Sequence, residues 1–242
     1  MMMKTQLLYL DDSYLKEMDA QILEIIQESD GKYKILLDKT VFYAMGGGQP
    51  TDQGKLISST WSGDVYQVLI KEGELWHFVS ASTAPIVGDT VHGTINWERR
   101  YKNMRYHTGG HIIDFALFLL GYSPHQLSPL KADHGKKPYI VYQGQVQEAI
   151  KQKLQEKVDE LIAKDLKFSC EFQPYEALKK EAIYLQPNLP INKPLRTFRL
   201  ETVGAVADGG TQLHTTSKAG KVVVDSIDQE GETTIIHYSL SL

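Results

Sequence analysis

A chain of 242 residues, 42% hydrophobic and 23% charged, has the composition of a folded globular protein and the length for one large or two modest domains. No stretch approaches the roughly 20 apolar residues of a membrane span, and the start Met1-Met2-Met3-Lys4-Thr5-Gln6-Leu7-Leu8 has too short an apolar run for a secretory leader. A single cysteine, Cys170, excludes an intrachain disulfide and fits a reducing cytoplasm, while a net charge of −4 argues against a non-specific nucleic-acid coat but permits a local basic patch.

From Lys4 to Asn96 the chain reads as mostly β. Short apolar runs at Ala20 to Gln27, Tyr33 to Leu37 and Asp64 to Ile70 lie between turn residues. Glu72-Gly73-Glu74 joins the last of these to Leu75-Trp76-His77-Phe78-Val79 as in a hairpin. Gly88 to Ile95 is a further strand candidate, and strands at this spacing predict a small barrel. Inside the segment lies Met45-Gly46-Gly47-Gly48-Gln49-Pro50-Thr51-Asp52. Three glycines in a row can hug a polar ligand or bend a strand sharply. The lysine of a phosphate-cradling loop is absent, but Gln49 and Asp52 put polar groups beside the glycines.

At Trp97 the character changes. Trp97 to Arg105 is basic, and Arg99, Arg100, Lys102 and Arg105 are either a solvated helix face or contacts to nucleic-acid phosphates. Tyr101, Met104, Ile112, Phe115 and Leu119 support one helix running to Gly121. Within it, His107 and His111 stand at i and i+4, on one helix face, a two-nitrogen pincer for a divalent metal such as zinc. Zinc proteases carry a glutamate directly after the first histidine. Here Thr108 takes that place, which disfavours a protease. H-x-x-x-H is a weak motif, and the pair alone favours ordinary, partly buried histidines. Gly109 and Gly110 each cost about 1 kcal/mol in a helix relative to alanine, so either a substrate or a packed neighbour is expected to approach the backbone there.

Gln145 to Lys164 has the stripe of an amphipathic helix, with Val146, Ile150, Leu154, Val158, Leu161 and Ile162. A strand at Lys167 to Phe172 places Cys170 mid-strand as a buried thiol. A short helix from Pro174 to Ala182, a strand from Leu195 to Thr202 and a closing hairpin of Lys221 to Asp228 with Thr233 to Leu240 complete the chain. This order predicts an α+β domain, helices packed on an antiparallel sheet, over 97–242, after a barrel domain over 1–96. Between the last strands, Asp208-Gly209-Gly210-Thr211-Gln212-Leu213-His214 offers Asp208, Gln212 and His214 as further metal ligands.

In that order, Phe42 to Gly54, then Trp97-Glu98-Arg99-Arg100 with Met104 to His111, then Asp208 to Gly220, the chain resembles the AlaX family, free-standing relatives of the editing domain of alanyl-tRNA synthetase. The likeness covers nearly all of it. It implies a trans-editing aminoacyl-tRNA hydrolase in the cytoplasm, with no membrane association and no obligate protein partner. The substrate implied is Ser-tRNA(Ala), with Gly-tRNA(Ala) as a second one, and the reaction is hydrolysis of the aminoacyl ester. A catalytically silent tRNA-binding module, or a metallohydrolase of another small ester, are the alternatives. The third motif departs from the family's C-G-G-T-H pattern. Asp208 stands in place of the zinc-binding cysteine and Gln212 in place of the last histidine. One zinc ion is therefore expected on His107, His111 and His214, with Asp208 as a further ligand; if Asp208 to His214 is extended, Gln212 and His214 share a side. Thr108, Gln49, Gly46, Gly47, Gly48, Asp52, Thr211 and Gln212 are expected to bind the aminoacyl group. Thr108 and the Gly209 and Gly210 amides are the expected catalytic groups.

Overall fold

The computed structural model describes residues 4–122 and 127–241. Residues 1–3, part of the start weighed as a leader, lie outside them. The backbone divides into two compact units, one of residues 1–46 with 50–102, the other of residues 47–49 with 103–242.

The first unit is mostly β, with a 3-10 turn at Leu8–Leu10 and a helical end from Trp97 onward. Its strands are β1 (Gln6–Leu7), β2 (Glu17–Ser29), β3 (Lys32–Leu37), β4 (Lys39–Thr40), β5 (Gly54–Ile57), β6 (Ser62–Lys71), β7 (Glu74–Ser80) and β8 (Thr90–Ile95). Six of them close a barrel in the order β2-β3-β7-β6-β5-β8, every pair antiparallel. Period-two alternation explains the inside: Met18, Ala20 and Ile22 of β2 are buried while Glu17, Asp19 and Gln21 between them are exposed. Closure leaves no open sheet edge among these six strands. The β6–β7 hairpin turns on Glu72 and Gly73, both at positive φ, as a tight two-residue turn requires. Strand β5 has no counterpart in the sequence reading. At four residues, with one buried side chain, it is too short to show a pattern.

The same unit settles two residues assigned to ligands. Arg100 and Asp52 are fully buried and form an ion pair with each other. Arg100 also donates to the carbonyls of Ser13 (2.8 Å) and Val41, and the Tyr43 amide donates to Asp52 Oδ2 (2.8 Å). Sealed inside, Arg100 cannot meet a phosphate and Asp52 cannot meet an aminoacyl group; both tie the barrel's loops together. Arg99 is half-buried, with Nε donating to the Thr51 carbonyl (2.9 Å), and Lys102 is exposed.

The second unit contains most of α1 (Trp97–Leu119), which begins in the first. There follow β9 (Ser128–Asp133), β10 (Tyr139–Gln143), α2 (Lys151–Ala163), β11 (Phe168–Gln173), α3 (Tyr175–Leu178), β12 (Leu195–Leu200), β13 (Gly204–Ala207), β14 (Lys221–Glu230) and β15 (Thr233–Ser241). They form two antiparallel sheets, β14-β15-β10-β9 and β11-β12-β13. Helix α2 packs on β14 through Leu154, Val158 and Leu161. It starts six residues later than its apolar stripe suggested, because Gln147 is extended and the Val146 amide donates to Thr234 Oγ1 (3.0 Å). Cys170 is exposed on β11, not buried. Arg105 is also spent structurally, its Nε donating to the Ala219 carbonyl (3.0 Å). No helix among the described residues is long and apolar enough to cross a membrane.

Candidate metal centre

Helix α1 carries the first two donors. One turn apart, the His107 and His111 rings stack with centroids 5.0 Å apart, and both are buried. The glycines beside them answer to packed neighbours. A side chain at Gly109 would press on Val222 and Leu240 of the sheet, and one at Gly110 would come within 2.7 Å of the His134 ring.

Each histidine has its inner nitrogen fixed by another residue. His107 Nδ1 hydrogen-bonds Gln49 Oε1 (2.8 Å), which also accepts from the Thr211 amide (3.2 Å), while Gln49 Nε2 donates to Thr211 Oγ1 (2.8 Å). A carboxamide oxygen can only accept, so His107 carries its proton on Nδ1 and turns the Nε2 lone pair inward. His111 Nδ1 lies 3.0 Å from Asp114 Oδ2, and the hydroxyls of Tyr142 and Tyr184 donate to the same carboxylate. Burial first, and then the Asp114 charge, push both phenols well above their ordinary range and keep them donors. The outer nitrogen of His111, Nε2, is buried with no hydrogen-bond partner.

Asp208, just past β13, completes the group. Its Oδ1 stands 3.3 Å from His107 Nε2 and 3.6 Å from His111 Nε2. Its Oδ2 accepts from the Gly210 amide (3.0 Å) and Gln212 Nε2 (2.9 Å), and lies 3.5 Å from an Arg196 nitrogen. One oxygen is thus anchored and the other aimed at the imidazoles. Gln212 is itself held, since Thr108 Oγ1 donates to its Oε1 (2.6 Å).

These residues fit zinc. Donors bonded at about 2.0–2.1 Å in a tetrahedron stand roughly 3.3–3.4 Å apart, close to the two spacings above. The three ligand atoms lie within 4.8 Å of one another, and the orphaned His111 Nε2 is the donor a metal would satisfy. Two histidines and a carboxylate form the donor set of several catalytic zinc sites, each nitrogen braced from behind. Protonation follows the same layout. Burial lowers the His107 pKa. At His111 burial acts in the same direction, but Asp114 and Asp208 outweigh it and raise the pKa to about 9. Burial works against the Asp208 carboxylate, yet the two histidines hold it well below its ordinary value. A cation beside the carboxylate is thus already favoured, and a divalent metal would displace a proton.

Several assignments change here. His214, expected as the third imidazole, is exposed and outside the group. The alternation that should have put it beside Gln212 does not exist: residues 211–213 form no strand, and Gln212 and Leu213 are both buried. His214→Ala should therefore leave bound zinc at its wild-type stoichiometry by elemental analysis, and a loss as complete as in His107→Ala would reinstate it as a ligand. The Gly210 amide is occupied by Asp208 and is not free for an oxyanion. A side chain at Gly210 would come within 2.2 Å of the His107 ring, so only glycine fits there. Thr108, Gln49, Thr211 and Gln212, expected to touch substrate, are buried and engaged with one another or with the ligands.

A cavity of about 360 Å³ opens on the cluster. Gly47, Gly48 and Gly209 line it, together with residues that no motif announced, among them Asp114, His134, Lys131, Tyr184 and Gln186. Asp114 was legible as a carboxylate at i+3 from His111. His134 had no signal in the chain.

Fold and centre together define an α+β protein in which a small closed barrel precedes a unit built around a His-His-Asp donor cluster. A family model described as tRNA synthetases class II (A) matches residues 7–99. The alanyl-tRNA editing protein AlaX-M of Saccharolobus solfataricus is 31% identical over 94% of this chain and 95% of its own length. AlaX-L of Pyrococcus horikoshii is 31% identical over 89% of this chain, which spans only 53% of that protein. The alanine–tRNA ligase of Pyrococcus furiosus is 31% identical over 91% of this chain and 24% of the ligase. The chain belongs to the AlaX family of alanyl-tRNA editing proteins.

Proposed function

We propose that this protein is a cytoplasmic, zinc-dependent deacylase that hydrolyses the ester of Ser-tRNA(Ala), and secondarily of Gly-tRNA(Ala), without an obligate protein partner. The observation that carries the proposal is the buried His107, His111 and Asp208 cluster at the floor of a cavity, in a chain of the editing family. Water adds to the ester carbonyl, the bond from carbonyl carbon to ribose oxygen breaks, and free serine leaves with the tRNA hydroxyl restored. When bound, zinc supplies a Lewis acid beside the ester.

The chain's own residues do the rest. Gln49 and Asp114 hold the two imidazoles in the tautomer that presents Nε2 to the centre. Gln212 and the Gly210 amide hold the Asp208 carboxylate. Thr108 orients Gln212 and acts as a positioning residue. Gly209 at the cavity wall is the remaining amide candidate for an oxyanion donor. Lys102 and Lys131, both exposed, are candidates for tRNA phosphate contacts, and Arg99 is half-buried. An editing site that hydrogen-bonds the serine hydroxyl is the physical answer to a synthetic site that rejects an added hydroxyl poorly.

Purified protein should release serine from Ser-tRNA(Ala) while leaving Ala-tRNA(Ala) largely charged. Equal rates on the two, or none on either, would overturn the assignment.

A further inference from the structure

Thr108 was the natural reader of a serine hydroxyl, but its own proton goes to Gln212 and its oxygen accepts from the Leu213 amide (3.0 Å). Another group must read it. His134, the first residue after β9 in the turn to β10, is buried and stacks on His107 at 4.4 Å between centroids. Its backbone amide donates to the Gly48 carbonyl (2.8 Å). The ring sits between two glycines: a side chain at Gly110 would come within 2.7 Å of it, and one at Gly48 within 3.1 Å. The stacking on His107 and the close approach of the two glycines hold its plane.

A proton count fixes its direction. Tyr238 has one hydroxyl proton, and the hydroxyl reaches both the Tyr106 carbonyl (2.9 Å) and His134 Nδ1 (2.6 Å). The carbonyl can only accept, so it takes the phenol proton, and Nδ1 must then donate its own to the phenol oxygen. Nε2 is left as an acceptor. Among the described residues it has no hydrogen-bond partner, and it is not sealed off, because His134 lines the cavity that opens on the donor cluster. A rigid acceptor in the wall of that cavity suits a hydroxyl donor.

Resting on the editing activity above, we propose that His134 is a specificity-determining residue whose Nε2 accepts the hydrogen bond of the seryl hydroxyl. Tyr106 and Tyr238 act behind it by fixing the tautomer.

The test is binding of two hydrolysis-resistant probes, 3′-serylamino-adenosine and 3′-alanylamino-adenosine, which differ by that hydroxyl alone. The wild-type protein should bind the seryl probe on the order of tenfold more tightly, the worth of one well-made hydrogen bond. His134→Phe keeps a ring between the glycines and against His107, and should abolish the ratio while metal content and alanyl affinity stay unchanged. Tyr238→Phe removes a single oxygen, frees the tautomer and should shrink the ratio without touching the metal. A ratio that survives His134→Phe and Tyr238→Phe, equal loss of both probes, or no ratio in the wild type would each overturn the assignment. Deacylation of Ser-tRNA(Ala) is measured in parallel. Probe discrimination through His134 without hydrolysis would remove the enzymatic activity and leave the His134 assignment intact.

Discussion

Asp208→Ala should empty the metal centre and abolish deacylation together. The substitution removes one of three donors and leaves His107 and His111 side by side with no anion between them. Gln212→Ala provides the scale. Gln212 only orients Asp208, and losing such a partner typically costs roughly 10- to 100-fold in metal affinity. Zinc affinity in Asp208→Ala should fall well beyond that range, measured by competition with a chromophoric chelator, and the rate on Ser-tRNA(Ala) should fall in step. Asp208→Cys restores the donor the family usually carries, and should regain zinc with a softer, more zinc-selective site. Full zinc occupancy in Asp208→Ala would refute the carboxylate as a ligand.

The second large effect lies in the barrel. Removing one partner of a buried ion pair strands the other charge and costs about 3–5 kcal/mol. Arg100→Leu and Asp52→Leu should each lower unfolding stability by roughly that amount. Asp52 Oδ1 already lacks a hydrogen-bond partner, so the pair contributes less than its single deletions suggest. The double variant should accordingly lose far less than the two together, a coupling that urea unfolding of all four proteins reads directly. If Arg100→Leu instead kept full stability and flattened the salt dependence of tRNA binding, the residue would be an exposed phosphate contact after all.

These two residues show where the chain was legible and where it was not. Residue type and spacing announced the barrel strands, the long helix and the histidine pair, because periodicities of 2 and 3.6 are written locally. The hairpin of β9 and β10 escaped notice. Strand β9 carries Pro129 and has no buried side chain, although Ile140 and Tyr142 in β10 do alternate inward. That hairpin delivers His134 and five others of the sixteen lining residues, so a large part of the cavity wall had no local signature. The three motifs were visible as motifs, but their polar residues were assigned to substrate when most of them hold other protein groups. Arg100 reads as one of a row of surface cations until its partner, 48 positions away, is seen. Asp208 and Gln212 look like two losses in a zinc motif. In space they are a ligand and its support, since Gln212 Nε2 reaches Asp208 Oδ2. His214 failed for the converse reason, because the i, i+2 rule holds only in a strand and none forms there.

The three residues Gly47 to Gln49 come from the barrel's stretch of sequence yet group with the other unit, and Gln49 fixes the tautomer of His107. A gene break or recombination crossover placed at the apparent border near residue 97 would therefore not yield two self-sufficient modules. The downstream product would keep every metal donor and lose the acceptor that turns one of them the right way. Exchange of barrels between relatives is constrained in the same manner: an incoming barrel has to bring a glutamine, or another acceptor of similar reach, on a glycine loop of the same length. The border between the two units in the fold is thus not a border for inheritance, because residues 47–49 belong to one unit by sequence and to the other by contact.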